Sequence, residues 1–460
     1  YLPDACHHGA QVFTGALITH LEREGTRWRV HFEAIPLRTP RAGLPSEPAS
    51  VGSVLADIVM LGAGALGSTE ILLRSKARGL ALSDRVGRSF SGNGDVLALG
   101  YDNFWRMGEP DADGKCQPVP VYGIGAGSNK LQPEQMPGPC ITGVIDVRRE
   151  KNPREGLVIE EGVIPGALAS LMPPLLFAAS AMVGGETQYG ASQAATRLED
   201  AQALGDVVQN HPGSLTGQSY LGPVARTQTY LVMSVDDAAG ELRLVDDRLR
   251  IHWPDAGISP TIANDHRWLA EANEAVKGVF FPNPLWSDAL GHKLITVHPL
   301  GGCGMADDAE RGVTNADGQV YAGTTGSAVH EGLYVCDGAL LPAAAGVNPL
   351  LTIGALAERC CQRLCDTRGW TLDLTLPAAQ PLPRATSAAV TPEPDTSLHV
   401  KLEEDAEGLL KSILRHLKEG AIDVARKLLS KLIADYPEYL SPSFQFTERM
   451  QGFVNLECAS

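Results

Sequence analysis

The run Ala56-Asp57-Ile58-Val59-Met60-Leu61-Gly62-Ala63-Gly64-Ala65-Leu66-Gly67 constrains this chain more than any other stretch. A near-continuous apolar segment of that length reads as a strand buried on both faces. The glycines after it permit a tight turn. From 68 to about 78 the spacing is helical, with Ile71, Leu72 and Leu73 on the inner face. Strand, glycine turn and helix in that order form the unit of an α/β fold, in which helices cover a sheet. Upstream, residues 10–61 alternate in a strand-like way, and Trp28-Arg29-Val30-His31-Phe32 has period two.

The turn itself admits two readings. Gly62-x-Gly64-x-x-Gly67 has the form of a dinucleotide fingerprint, in which N–H groups at a helix start hold a pyrophosphate. Asp84, 20 residues after Gly64, stands where a ribose-binding acid belongs. On that reading the chain is an NAD(P)-dependent dehydrogenase. Against it, residues 79–87 read as loop where a second strand is needed, and no second βαβ unit follows. A structural turn, required only for close strand–helix packing, is the other reading.

Further along, 229–233 reads as a strand, 236–240 as a turn and 242–253 as a pair of strand segments, while 261–279 has helical spacing. A sheet with helices on one side follows, suited to forming one wall of a substrate cavity. Residues 376–397, rich in Pro, Ala and Thr, form a linker, and two amphipathic helices are expected within 398–460.

The net charge of −16 argues against a nucleic-acid partner, since phosphate binding needs clustered Lys and Arg. No apolar run approaches 18 residues, so no integral membrane span is expected. The nine cysteines are irregularly spaced without a CxxC pair, which fits reduced thiols and a cytoplasmic location. Cys360, Cys361 and Cys365 read as helix-packing residues. His7, His8, His20, His252, His266, His292 and His330 show no ligand-like spacing together, so no metal site is expected.

Four stretches in order carry a family resemblance. They are ADIVMLGAGALGSTEILLRS at 56–75, Arg85-Val86-Gly87-Arg88-Ser89-Phe90 with Gly92-Asn93-Gly94-Asp95, HPLGGCGM at 298–305, and LYVCDGALLPAAAGVNPLLTIGALAER at 333–359. Together they resemble the glucose-methanol-choline (GMC) FAD oxidoreductases, nearest their cholesterol-oxidase-like branch. The resemblance covers about residues 10–366, loosely over 100–225. The GMC family opens with a strand–GxGxxG–helix unit that holds the ADP half of FAD. No such unit precedes Tyr1, so the chain reads as a fragment. A non-catalytic piece unable to hold FAD alone is therefore a further reading.

The resemblance implies an α/β fold with a GMC-type FAD-binding domain, a sheet-based substrate domain and an α-helical C-terminal tail. The implied boundaries are 1–100 and 291–375 for the FAD-binding parts and 101–290 for the substrate domain. It implies FAD as cofactor and a small-molecule alcohol, sterol-like or otherwise bulky and apolar, as substrate. His298 and Asn348 would be catalytic. Gly62, Gly64, Gly67, Asn93, Gly94, Asp337, Gly338, Asn348, Pro349 and Leu350 would lie along the cofactor.

The residue types suit that chemistry. Oxidising an alcohol needs a group to take the hydroxyl proton, a hydride acceptor and stabilisation of developing charge. An imidazole titrating near neutrality suits the first, and Pro299 restricts His298 to extended backbone. The glycines Gly301 and Gly302 would let the chain pass close to a ligand. The Asn348 amide can donate to an alkoxide, and a helix starting near Pro349 would aim its positive end at a reduced flavin. Cholesterol oxidases also carry a glutamate that moves a steroid proton. No Glu stands around 224–228; either Glu160 or Glu161 would serve instead, or the two read as a solvated pair, which leaves an isomerase step in doubt. Leu168, Leu171, Leu175, Leu176 and Phe177 would line an apolar pocket or belong to the core.

Overall fold

The computed structural model describes residues 1–35, 51–101, 103–105, 119–126, 137–138, 141, 143–148, 152, 155–172, 220, 222–276, 278–283, 285–286 and 290–372. The expected linker and C-terminal helices lie outside them, as do Leu175, Leu176 and Phe177. The chain divides into two compact units. One comprises Tyr1–Leu17, Phe32–Gly52 and Cys365–Ser460, and includes the short helix α1 (Leu2–His7). The other comprises Ile18–His31 and Ser53–Leu364 and holds every described candidate site residue.

In the N-terminal third, β1 (Ala16–Glu24), β2 (Arg27–Ala34) and β3 (Val51–Ala56) form a three-stranded sheet in that order. The apolar run expected as one strand over 56–61 is split. β3 ends at Ala56, and β4 keeps only Val59–Leu61. β4 lies parallel to β17 (Val329–Val335), with Val59 opposite Leu333, and β16 (Gln319–Tyr321) flanks β17 on its other side. Helix α2 (Gly64–Ala77) begins four residues before the position its spacing indicates. Its start is fixed by a distant partner, because Gly64 N–H and the Ser68 hydroxyl both donate to the Asp337 carboxylate just beyond β17. Leu61, Ile71, Leu72, Val313, Val320, Leu333 and Val335 close one core between these elements.

A second sheet runs β15-β5-β12-β10-β9, with antiparallel neighbours throughout. Its strands are β15 (Val279–Pro282), β5 (Val96–Tyr101), β12 (Gln228–Ser234), β10 (Leu157–Gly162) and β9 (Val144–Asp146). Helix α4 (Pro260–Ala275) covers it, and Ile262 and Leu269 pack on Val96, Ala98, Leu157, Ile159 and Val232. Ser259 caps α4 by accepting from Ile262 N–H, with Pro260 in the first turn. The helix ends at Ala275, short of the expected 279, because Val279 enters β15.

β13 (Glu241–Val245) and β14 (Arg248–His252) form the expected hairpin. Asp246 and Asp247 both take positive φ at its two-residue turn, the geometry of a type I′ connection. Two short strand pairs and a one-turn helix, α3 (Gly222–Ala225), are among the other described elements. Helix α5 (Leu350–Arg368) starts just after Pro349, as the sequence indicates. Cys360 on α5 is buried in the first core while Cys361 is exposed, so the adjacent cysteines face apart. Among the described residues no helix is long and apolar enough to cross a membrane.

Candidate active site

The site is organised by one loop, residues 91–95, between the Arg85–Phe90 segment and β5. Asp236 holds the loop from beneath. One carboxylate oxygen of Asp236 accepts from the Ser91 hydroxyl and from Gly92 N–H and Gly94 N–H, at 2.9, 3.0 and 2.9 Å. Gly94, at positive φ, leaves no room for a Cβ, which would collide with Ser234. Its glycine is needed for protein packing.

Asn93 faces the segment that leads into α5. Its Oδ1 accepts from Ala345 N–H and Gly346 N–H at 2.8 and 2.9 Å, and its Nδ2 donates to the Val347 carbonyl at 3.0 Å. One side chain thus fixes the three residues before Asn348. An αL backbone, φ 57°, lets Asn93 present its amide this way, and Asn is among the few residues that adopt it readily.

Two residues on, Asp95 faces the opposite strand of the site. Its buried carboxylate accepts from Val297 N–H at 2.8 Å, His298 N–H at 3.1 Å and the Thr296 hydroxyl at 3.0 Å. The remaining interaction is with His298 Nδ1, 3.0 Å from Oδ1. Burial pushes the Asp95 carboxyl above its ordinary pKa, and the His298 ring, then Val297 N–H and the Thr296 hydroxyl, pull it back. Three donors already point at this group, so it acts as an acceptor, and His298 presents its proton at Nδ1. Nε2 is left with its lone pair for a substrate hydroxyl.

Asn348 donates through Nδ2 to Glu160 Oε2 at 3.1 Å. Glu160, in β10, is only 4% exposed, and Glu161 accepts from Gln228 Nε2 at 2.6 Å. The reading of Glu160 and Glu161 as a solvated pair is therefore wrong. β10 is an interior strand between β12 and β9, with Glu160 opposite Leu231 and Val144. His298 and Asn348 are thus anchored to two residues of one loop, His298 through Asp95 and Asn348 through the segment that Asn93 holds.

Asp337 is spent internally. Its Oδ1 accepts from Ala339 N–H and its Oδ2 from Gly64 N–H and the Ser68 hydroxyl. Burial raises the Asp337 carboxyl, with those donors opposing. Gly338 fits between Leu300, Pro299 and Ile353 of α5, where a Cβ would be crowded. Gly62 and Gly67 flank the start of α2, and a Cβ on Gly67 would press on Ala63. The dinucleotide reading of this turn fails on geometry. Gly64 N–H already has a carboxylate, and Asp84 is an exposed partner of Lys76 at 2.7 Å in a segment that forms no strand.

Gly301 and Gly302 do not serve the purpose expected of them. A Cβ on Gly301 would strike the Ser89 carbonyl and one on Gly302 the Thr69 hydroxyl. Both glycines let the histidine segment pass close to other parts of the protein. Of the expected pocket-lining residues described, Leu168 is exposed. Pro349 N-terminates α5, and Leu350 and Leu351 are 77% and 84% exposed. Large apolar side chains beside the unpaired N–H groups of a long helix's first turn offer a surface for a flat ring with anionic character.

Asp95 and Asp236 are the participants that sequence reasoning left without a role. The available signal was Asp95's place two residues after Asn93. Its link to His298 spans 203 positions and leaves no spacing to detect. Among the described residues, His20, Glu22 and His31 gather their ligand atoms within 4.8 Å of one another, a grouping that their sequence spacing does not announce.

Residues 257–357, a span that includes His298, Asp337, Gly338 and Asn348, match the GMC oxidoreductase family model. The chain is 33% identical over 143 residues to a cholesterol oxidase of Acinetobacter baumannii, covering 29% of this chain and 23% of that protein. It is 33% identical over 94 residues to the long-chain-alcohol oxidase FAO4B of Arabidopsis thaliana, 20% of this chain and 11% of that one. The chain thus aligns with less than a quarter of the length of these relatives. An FAD-dependent oxidoreductase from Chaetomium thermophilum superposes at TM-score 0.42 and 13% identity, over 81% of this chain and 64% of that one. The histidine and Asn-Pro segments thus lie inside the region that matches the GMC oxidoreductase family model, and a cholesterol oxidase is among the proteins to which the chain is similar.

Proposed function

We propose that this chain supplies the catalytic side of an FAD-dependent oxidoreductase acting on the CH–OH group of an alcohol. The observation that carries the reading is the Asp95–His298 pair, which fixes the imidazole tautomer and leaves Nε2 as a proton acceptor. The residues present fit a flavin at one end. The open first turn of α5, with Leu350 and Leu351 exposed beside Asn348, suits the ring. When bound, the flavin supplies the hydride acceptor.

The protein's own groups do the rest. His298 Nε2 takes the hydroxyl proton, and the Asp95 carboxylate stabilises the imidazolium that results. Asn348, turned by Glu160 and by the Asn93-held segment, offers its amide to the alcohol oxygen. The positive end of α5 favours negative charge in front of it.

The substrate class we propose is a sterol-like or other bulky apolar alcohol. Two observations support it, the names of the two relatives above and the exposed apolar side chains at the start of α5. Mass analysis of products from cholesterol and from a long-chain primary alcohol tests the proposal. A ketone or aldehyde from either supports it, and the absence of both with FAD supplied contradicts it.

A further inference from the structure

We infer that His20, Glu22 and His31 form a binding site for a divalent first-row transition cation, of which Zn²⁺ is the fitting case. All three lie in the larger unit, on strands β1 and β2. The His20 and His31 rings stack at 4.1 Å between centroids and 5° between planes. Glu22 reaches both. Its Oε2 is 3.1 Å from His31 Nε2 and its Oε1 is 3.7 Å from His20 Nε2. Tetrahedral Zn²⁺ with bonds of about 2.0–2.2 Å holds its ligand atoms about 3.3 Å apart, so the two separations bracket what the cation needs.

Proton positions sharpen the case. When the Thr19 hydroxyl donates to the His31 carbonyl at 3.3 Å, it can accept from His20 Nδ1, 2.9 Å away. In that tautomer the His20 Nε2 lone pair faces the Glu22 carboxylate, and a cation between them satisfies both. Binding takes His31 in its Nδ1–H tautomer, the Nε2 proton exchanging through solvent to Nδ1, so that two neutral imidazole nitrogens and one carboxylate oxygen surround the ion. Water completes the fourth position.

Arg78 repels a bare cation, and the Glu22 charge offsets it. Thr19 plays the orienting part that metal-bound histidines usually require, holding the ring through its other nitrogen. The site would clamp β1 to β2 beside the points where Leu21 N–H meets Ser75 and Trp28 Nε1 meets the Glu331 carbonyl.

The test is calorimetric titration of the whole chain with Zn²⁺, and with Co²⁺ for its d–d absorption. Wild type, His31→Ala, Glu22→Gln, Thr19→Val and the double variant His7→Ala/His8→Ala are compared, each checked by circular dichroism. One cation per chain should be lost in His31→Ala and weakened in Glu22→Gln. Thr19→Val should bind on the order of 10- to 100-fold more weakly, with Thr19→Ser restoring affinity. Unchanged stoichiometry in a folded His31→Ala, or loss only in the His7/His8 variant, would overturn the inference. If His31→Ala does not fold, Thr19→Val decides, and unaltered affinity there counts against the site.

Discussion

At His298 the decisive bond is to Asp95, because it settles which ring nitrogen faces the substrate. Asp95→Asn leaves one amide oxygen for Thr296, Val297 and His298 N–H but sets an NH2 donor against His298 Nδ1, which turns the ring to its other tautomer. The variant is expected to lose roughly 10²- to 10³-fold in kcat, with a smaller change in KM. Steady-state kinetics beside a thermal melt separates this from unfolding. Asn93 presents a different balance. Asn93→Ala strands the buried Ala345 and Gly346 N–H groups and frees the Val347 carbonyl, a loss of about 2–4 kcal/mol in urea unfolding. Asn93→Gly keeps the positive φ at no strain, so a nearly equal loss there would place the cost in the hydrogen bonds. At this scale the sequence was only half legible. His298 and Asn348 stand in recognisable surroundings, and the family resemblance points at them directly. Their anchors do not, because Asp95, Asp236 and Glu160 act through partners 142 to 203 positions away.

At the scale of the element, α4 carries two adjacent buried groups with opposite pH behaviour. Burial raises the Asp265 carboxyl to about 7, while the Ser234 hydroxyl, bonded at 2.7 Å, opposes the rise and Asp236 adds to it. Burial lowers the neighbouring His266 imidazole to about 4, in its stack on Trp286. For Asp265 the folded state holds its proton longer than the unfolded chain does. Stability from this group is therefore full in acid and falls as pH rises from about 4 to about 7. For His266 the unfolded chain binds the proton first. Its contribution is full above about 6.5 and falls as pH drops toward 4. The two slopes oppose each other between about pH 4 and 6.5. Asp265→Asn should raise the melting temperature at pH 8 and change it little at pH 4. His266→Phe should flatten the acid-side loss, and a melt series across pH reads both. Periodicity and turn chemistry showed β12, the β13–β14 hairpin and α4, while α5 was read from the family resemblance and from the Asn-Pro helix start. Periodicity missed the break between β3 and β4 and the early start of α2. The latter is set by Asp337, 273 positions from Gly64, and no local propensity carries that information.

For the molecule as a whole, the 91–95 loop follows the first segment of the first core, which resumes at Cys303, and leads directly into β5 of the five-stranded sheet. That loop ties the strand-end Ser234 and Asp236 to the segments bearing His298 and Asn348. Close approach of protein at Gly94, Gly301 and Gly302 brings these parts together. The α/β architecture was legible because strand–turn–helix order survives in local sequence. The use of each glycine was not, since close approach to protein and close approach to ligand impose the same residue. The most direct test of the account is the absorbance spectrum of the gene product supplied with FAD under anaerobic conditions, before and after cholesterol. The account predicts a flavin spectrum that bleaches on adding the alcohol, and bleaching slowed at least a hundredfold in a flavin-loaded His298→Ala variant, as removal of the proton acceptor requires. A protein that takes up no flavin, or one whose bleaching is indifferent to His298, would contradict it.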